Sequence, residues 1–388
     1  MIKTFEMKIY RSKNNRYLHK SINLASKIYN HCIALHKRYY KMFKKHLNKY
    51  QLQKHLTKLK KLEKFEHWKE VGSQAIQDIT DRIERGFQLF FQNLQSSRKV
   101  SPPSFKKRKK YKSFTLKQSG YKLFDNNKIK LGKRYYKFHK SREIDGEIKT
   151  LTVKRDALGD IYLFFSCEVL EVQTNRVSSG KSVGFDFGLK CFLTLSDESE
   201  IKSPEFFMNG LKQIKKASRN LTKKKKGSNN RYRARIDLAR VHKRIGNQRK
   251  YYQFKLAKKL AEKYDNLFFE DLNMKGMQKI WGRKISDLSF SSFLNILEYY
   301  CLKVGSRIHK IDRYYPSSKT CHCCNHIYEE LSLKERDWTC SVCGFYHLRD
   351  VNAAKNIHRV GASTLGVGEV RLALKQAFTV DPRIPIHS

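Results

Sequence analysis

The stretch Cys321–Ile357, CHCCNHIYEELSLKERDWTCSVCGFYHLRDVNAAKNI, sets two C-x2-C pairs just ahead of an acid, Asp350, that opens a helix-like run. Cys321 and Cys324 form one pair, Cys340 and Cys343 the other, with 15 residues between them. That spacing suits a four-cysteine zinc ribbon, in which each pair sits on a tight knuckle and four thiolates surround Zn²⁺ tetrahedrally. Cys323 makes the first pair ambiguous, and His322, His326 or His347 can in principle replace a thiolate. The expected ligands are Cys321, Cys324, Cys340 and Cys343. So small an insert cannot supply its own core, so the metal is expected to fold it, as structural support for a nucleic-acid contact.

Working outward, the chain of 388 residues carries 82 Lys and Arg against 35 Asp and Glu, a formal charge of +47. A surface so charged repels itself unless a polyanion neutralises it, which makes nucleic acid the natural partner. The 40% hydrophobic content is enough to build cores in two or three domains. No apolar run approaches the length of a membrane span, and the opening MIKTFEMKIYRSKNN lacks the apolar region of a signal peptide. Nine cysteines without a secretory signal argue for free thiols and a metal site over a disulfide framework, and a cytoplasmic location is expected.

MIKTFEMKIY reads as an opening strand, after which Ala25, Ile28, Tyr29, Cys32, Leu35 and Tyr39 recur at helical steps. Ile76, Ile79, Ile83, Phe87, Phe90 and Leu94 mark a second helix, and the lysine-rich stretch from Gln51 to Glu70 is loosely helical. The two prolines of SPPSFKKRKKYKSF end the helices, and KIKL, KTLTVKR and IYLFFSCEVL then read as an antiparallel β-module. QTNRVSSGK is a polar linker, and SVGFDFGLKCFLTLS begins a new domain as strand, glycine turn and strand. Between Leu211 and Lys250 stand sixteen Lys and Arg and one acid, Asp237, in a pattern that reads as a basic helical hairpin. NLFFEDL follows as a buried strand, FSSFLNILEYYCLKVG as a helix and SRIHKIDRYY as a strand. There is no long-period repeat, and the tail after Arg359 is expected to be loosely ordered.

Three acids end or follow these apolar runs. Asp186 follows SVGF, Glu270 follows NLFF, and Asp350 opens DVNAAKNI. In a ribonuclease-H-type sheet, two carboxylates from neighbouring strands and one from a following helix converge to hold two Mg²⁺, which activate water and stabilise the leaving oxygen of a phosphodiester. Hard oxygen ligands suit Mg²⁺ or Mn²⁺. Asp271 points to the opposite face of its strand from Glu270 and is expected outside the cluster.

VGFDFGLK, RYRARIDLARVHKRIGNQR, NLFFEDLNMKGM, YYPSSKTCHCC, CSVCGFYHLRDVNAAKNI and, upstream, FKKRKKYKSFTL together resemble the TnpB family, the RNA-guided endonucleases of insertion sequences that resemble type V CRISPR effectors. The likeness spans nearly the whole chain and is tightest from Val183 to Ile357. It implies an α/β plus β-barrel protein: a RuvC-like nuclease domain over 181–388 with a zinc-ribbon insert at 316–347, preceded by a wedge β-barrel from 1–12 and 100–175 that carries a helical recognition insert at 13–99. It carries over Asp186, Glu270 and Asp350 as the catalytic, magnesium-binding triad and the four cysteines as zinc ligands. GKRYYKFHKS is more basic and aromatic than the family's wedge region, and Cys323 is extra.

What the resemblance implies about function is a Mg²⁺-dependent endonuclease that pairs a guide RNA from its element's end with double-stranded target DNA beside a short flanking motif. The surplus charge then meets RNA phosphates, and base pairing reads the sequence while the protein reads duplex shape. A monomer without membrane association, in a bacterial or archaeal cytoplasm near the nucleoid, is expected. A nuclease-silent, RNA-guided repressor is the alternative, against which the intact triad speaks; a ribonuclease-H-type transposase is a third reading. Arg349 is a candidate for steadying the scissile phosphate, and Lys223, Lys224, Lys225 and Lys226 for backbone contacts. Tyr39, Tyr40, Tyr314 and Tyr315 are candidates for stacking on bases or for packing.

Overall fold

The computed structural model describes residues 2–96, 100–169, 178–272, 276–277, 279, 282, 287–332 and 334–365. Two compact units divide the chain, Met1–Glu171 and Val172–Ser388.

The first unit opens with β1 (Ile2–Ile9), whose Phe5, Met7 and Ile9 alternate into the core. Four helices separate it from the next strand: α1 (Asn15–Phe43), α2 (Lys49–Leu59), α3 (Glu63–Glu66) and α4 (Ser73–Gln95), with a 3-10 turn at His67–Val71. The stripe expected on α1 is buried at Ala25, Ile28, Tyr29 and Cys32, where it meets Ile76, Ile79, Ile83 and Phe87 of α4 in one core. Leu94, at the end of that stripe, reaches solvent. The loosely helical reading of the segment between them resolves into α2, started by a reciprocal capping box between Asn48 and Gln51. Two histidine pairs join this helical part: His31 Nε2 lies 3.0 Å from His55 Nε2, and His36 Nε2 lies 2.7 Å from His46 Nδ1.

Six further strands follow: β2 (Ser113–Leu116), β3 (Tyr121–Phe124), β4 (Lys128–Leu131), β5 (Arg134–His139), β6 (Glu147–Arg155) and β7 (Ile161–Glu168). They join β1 in a nearly closed, barrel-like sheet of order β2-β6-β7-β1-β5-β4-β3. The basic, aromatic GKRYYKFHKS is β5, where Tyr136 and Phe138 turn inward and Tyr135 faces water. Period-two burial, set by the pleat, absorbs the aromatics and exposes the lysines.

The second unit is built on five strands, β8 (Ser182–Asp186), β9 (Cys191–Leu195), β10 (Glu200–Lys202), β11 (Asn266–Glu270) and β12 (Arg307–Ile311), in the order β10-β9-β8-β11-β12. β9 runs antiparallel to β8 and β10, whereas β11 and β12 run parallel to β8. Parallel neighbours need crossovers. The basic hairpin provides the first, as α5 (Phe206–Thr222) and α6 (Asn229–Lys263), and α7 (Phe290–Val304) lies in the second. Gly305, at φ 81°, ends α7 by donating its N–H to Cys301 O, as left-handed glycine caps do. The strand expected over SRIHKIDRYY stops at Ile311.

A small hairpin, β13 (Asp337–Thr339) with β14 (Tyr346–Leu348), leads into α8 (Arg349–Thr364). That helix extends five residues past Arg359, where a loose tail was expected; 366–388 lie outside the described residues. Val183, Phe185, Leu267 and Phe269 turn to the face covered by α6 and α7, while Phe268 and Ile311 turn to Ile357 and Ala362 of α8. Among the described residues, no helix is long and apolar enough to cross a membrane.

Candidate active site and zinc centre

Alternation along β8 and β11 decides which side chains share a face. Val183 and Phe185 face α6 and α7, so Ser182, Gly184 and Asp186 face α8; by the same rule Asn266, Phe268 and Glu270 do so from β11. The register pairs Phe269 with Phe185, which sets Glu270 beside Asp186 on adjacent strands, about 4.8 Å apart in backbone spacing.

Two contacts fix α8 over β8. Ser182 Oγ lies 2.5 Å from His358 Nε2. A Cβ on Gly184 would stand 2.4 Å from both Ala354 O and His358 N, so helix backbone rests directly on strand backbone. Four helical residues advance about 6.0 Å and two strand residues about 6.6 Å, so one ridge of α8 keeps step with every second residue of β8. Continued by one more step, His358 over Ser182 and Ala354 over Gly184 bring Asp350 over Asp186.

The electrostatics agree with this convergence. Burial raises the Asp186 carboxyl to about 7, and the charges of Asp350 and Glu270 push in the same direction. Burial also raises Glu270, opposed by the Ser317 hydroxyl, which donates to Glu270 Oε2 at 3.2 Å. Among the described residues, neither Asp186 nor Glu270 makes a salt bridge, while the Arg336 guanidinium stands 3.7 Å from Asp350. Three carboxylates on one face, with the charges of two acting on Asp186, are a hard-oxygen donor set of the kind that suits Mg²⁺ or Mn²⁺. Asp271 turns away to the guanidinium of Arg313, at 2.5 Å, as expected of the opposite face.

The four cysteines converge more tightly. Their Sγ atoms all lie within 4.8 Å of one another, with Cys321 to Cys343 at 3.7 Å and Cys324 to Cys340 at 3.6 Å. A tetrahedron with Zn–S bonds of about 2.3 Å has edges of about 3.8 Å, so the thiols fit zinc. Asn325 (φ 65°) and Gly344 (φ 69°) take left-handed conformations just after each pair and donate their N–H groups back to Cys321 O and Cys340 O, closing the two knuckles. The N–H groups of Cys343 and Val342 draw the Cys340 thiol down to about 6. Cys323 is exposed and stands outside the cluster, whereas His347 is buried with Nε2 3.0 Å from Cys321 Sγ. Tyr328 stacks on Trp338 beneath the cluster, a core as small as the sequence implied.

Of the other candidates, Arg349 lies near enough for its charge to draw Asp186 down, and the lysines and tyrosines are dispersed. Arg349 donates to the carbonyls of Ser332 and Glu335, at 3.0 and 3.3 Å, and so braces the loop before β13. Lys223 caps α5 and shares one basic surface with Lys212, Lys215, Lys216 and Arg219; Lys224, Lys225 and Lys226 form the turn into α6. Tyr40 and Tyr314 are exposed, while Tyr39 and Tyr315 are half-buried against neighbouring cores. Sequence reading passed over Ser317, Gly184 and Arg336. YYPSSKT contains Ser317 without marking it, because only the fold sets that hydroxyl against Glu270.

Comparison with known proteins gives the family. The family described as OrfB_IS605, "Probable transposase", matches residues 164–281, and the "Cas12f1-like, TNB domain" matches 290–357. A "TnpB-like protein L79" of Acanthamoeba polyphaga mimivirus is 31% identical over 237 residues, 55% of this chain and 43% of its own length. A "Putative RNA-guided DNA endonuclease" of Streptomyces pristinaespiralis is 32% identical over 320 residues, 81% of this chain and 78% of its own length. The chain belongs to the TnpB family. Another relative of this TnpB chain, the "Putative RNA-guided DNA endonuclease InsQ" of Escherichia coli K12, is 28% identical over 321 residues, 78% of each chain. The "Cryo-EM structure of the Cas12f1-sgRNA-target DNA complex" shares the fold at a TM-score of 0.56 and 15% identity, covering 92% of this chain and 98% of that one.

Proposed function

We propose that this TnpB-family chain is an RNA-guided DNA endonuclease that hydrolyses phosphodiester bonds at a RuvC-like, ribonuclease-H-type site formed by Asp186, Glu270 and Asp350. The observation that carries the reading is the shared face: two strand-end acids and a helix-start acid meet where α8 crosses β8. Mg²⁺ or Mn²⁺ bound there would supply activated water and stabilise the leaving oxygen. Asp186, Glu270 and Asp350 would be the residues that hold the metal. Asp186, on which the charges of both other acids act, would hold metal together with each of them. The cysteine cluster holds structural zinc and keeps the ribbon folded beside the site.

The domain assignment follows the same reading. Residues 1–12 and 100–175 form the wedge barrel, 13–99 the recognition helices, 181–388 the nuclease domain and 316–347 its ribbon. A guide RNA from the end of the element and double-stranded target DNA are the partners, and the charge of +47 supports them. The surface of α5, the turn at Lys223 to Lys226 and Arg349 are the proposed nucleic-acid contacts, and the chain acts as a monomer.

The test is to sequence the RNA that stays with the protein through a high-salt wash, then offer the complex its matching DNA with a randomised flank. Wild type cuts beside one flank, and Asp186→Ala binds the same DNA without cutting. Loss of binding in step with cutting would make Asp186 a structural residue, and heterogeneous RNA would remove the guide.

A further inference from the structure

Two amides stand where a core would hold apolar side chains. Asn352 and Asn356 lie one turn apart on α8 and are 1% and 0% exposed. A buried amide is tolerated only with its hydrogen bonds made, and both have partners in the loop that leads from β12 into the ribbon. Asn352 Nδ2 donates to Thr320 O at 2.7 Å, and its Oδ1 accepts the His322 N–H at 3.1 Å. Asn356 Nδ2 donates to Ser317 O at 2.8 Å and Thr320 O at 2.5 Å. Its Oδ1 accepts from Arg359 Nη2 at 2.9 Å, and Arg359 Nη1 reaches His322 O at 3.2 Å. One face of α8 thus satisfies the carbonyls of Ser317, Thr320 and, through Arg359, His322, in a loop whose β-type pairing is the single bridge of Thr320 to Ile327.

That loop also touches the carboxylate site. Ser317, whose carbonyl Asn356 holds, turns its hydroxyl onto Glu270. A closed path therefore runs from Asp350 along α8 to Asn356, across to Ser317 and on to Glu270, independent of the sheet that joins Glu270 to Asp186. We infer that Asn356 and Ser317 are positioning residues that set the distance and orientation of Glu270 relative to Asp350, with Asn352 holding the ribbon's root in register. The inference rests on the metal-dependent nuclease reading above. Partners that orient metal ligands typically change affinity about 10- to 100-fold when removed.

The alternative is that the amides only anchor the ribbon, and metal binding separates the two roles. Full-length protein freed of RNA is titrated with Mn²⁺ by electron paramagnetic resonance, with Asp186→Ala as the blank that isolates the carboxylate site. Ser317→Ala and Asn356→Ala are each expected to weaken that Mn²⁺ binding about tenfold. Ser317→Thr, which keeps the hydroxyl, stays within about twofold of wild type, and zinc remains at one per chain in all three. Because the two residues act in series, the double variant loses no more than the worse single one. Wild-type Mn²⁺ affinity in Ser317→Ala overturns the inference, as does a defect in Asn356→Ala that accompanies zinc loss and is absent from Ser317→Ala. If Asn356→Ala does not fold, Ser317→Ala and its threonine rescue decide between the two roles. Mn²⁺ binding unchanged by Asp186→Ala would instead refute the nuclease-site reading beneath it.

Discussion

Replacing Gly184 by alanine tests the contact that carries Asp350 to Asp186. The new Cβ would stand 2.4 Å from Ala354 O and from His358 N, where ordinary contact begins at 3.4 Å, so α8 must retreat by about 1 Å. Neither atom belongs to a side chain that can swing aside. Overpacking of this kind costs about 1–3 kcal/mol, and a 1 Å displacement at a reacting centre costs about 100-fold in rate. The assay is single-turnover cleavage of guide-matched DNA, with target binding and thermal unfolding measured on the same preparation. Gly361→Ala is the control. Its Cβ would meet the Phe268 side chain at 2.2 Å, a close clash with a ring in place of backbone, 11 residues beyond Asp350, about 16 Å along the helix. Both variants should melt earlier, and only Gly184→Ala should lose cleavage about 100-fold with binding retained. Cleavage by Gly184→Ala within twofold of wild type, or equal losses in the two variants, would refute the reasoning.

Cys340→Ser should release zinc and lower solubility, read by elemental analysis against wild type; retained zinc would show that Cys340 is not a ligand. Replacing Lys212, Arg219 and Lys223 together by glutamine should reduce the slope of log affinity for RNA against log salt by about 2–3, since each phosphate contact contributes about 0.7–0.9. An unchanged slope would remove α5 from the interface. Acid should loosen the helical part of the first unit. Burial, aided by the His46 charge, lowers His36 to about 4. The unfolded chain therefore binds the proton first, and the stability present above pH 6.5 is lost as pH falls toward 4. The slope approaches about 1.4 kcal/mol per pH unit for that histidine, and His36→Gln should flatten the fall in melting temperature between pH 6.5 and 5. An identical pH profile in that variant would count against the assignment.

The sequence by itself determined what local chemistry and short periods encode. Two cysteine pairs specify a tetrahedral thiolate site wherever the chain folds, because each knuckle closes within a few residues. Apolar periods located α1, α4, β7, β8 and β11, and an acid at the end of each buried run in SVGFD and NLFFE predicted the carboxylates, along with Asp271 on the wrong face. GKRYYKFHKS resisted reading because its charge hid an ordinary alternating strand, and α8 outran the end expected at Arg359 because Gly361 and Ala362 pack against the sheet, with Gly361 set against Phe268. Only the tertiary structure decided how the acids meet. Gly184 became a helix seat, Ser317 a partner of Glu270 and Asn356 a link between ribbon and helix through contacts among residues 39 to 176 positions apart. No local propensity records such distances, because each depends on the order and direction of strands that pair only once the whole sheet has formed.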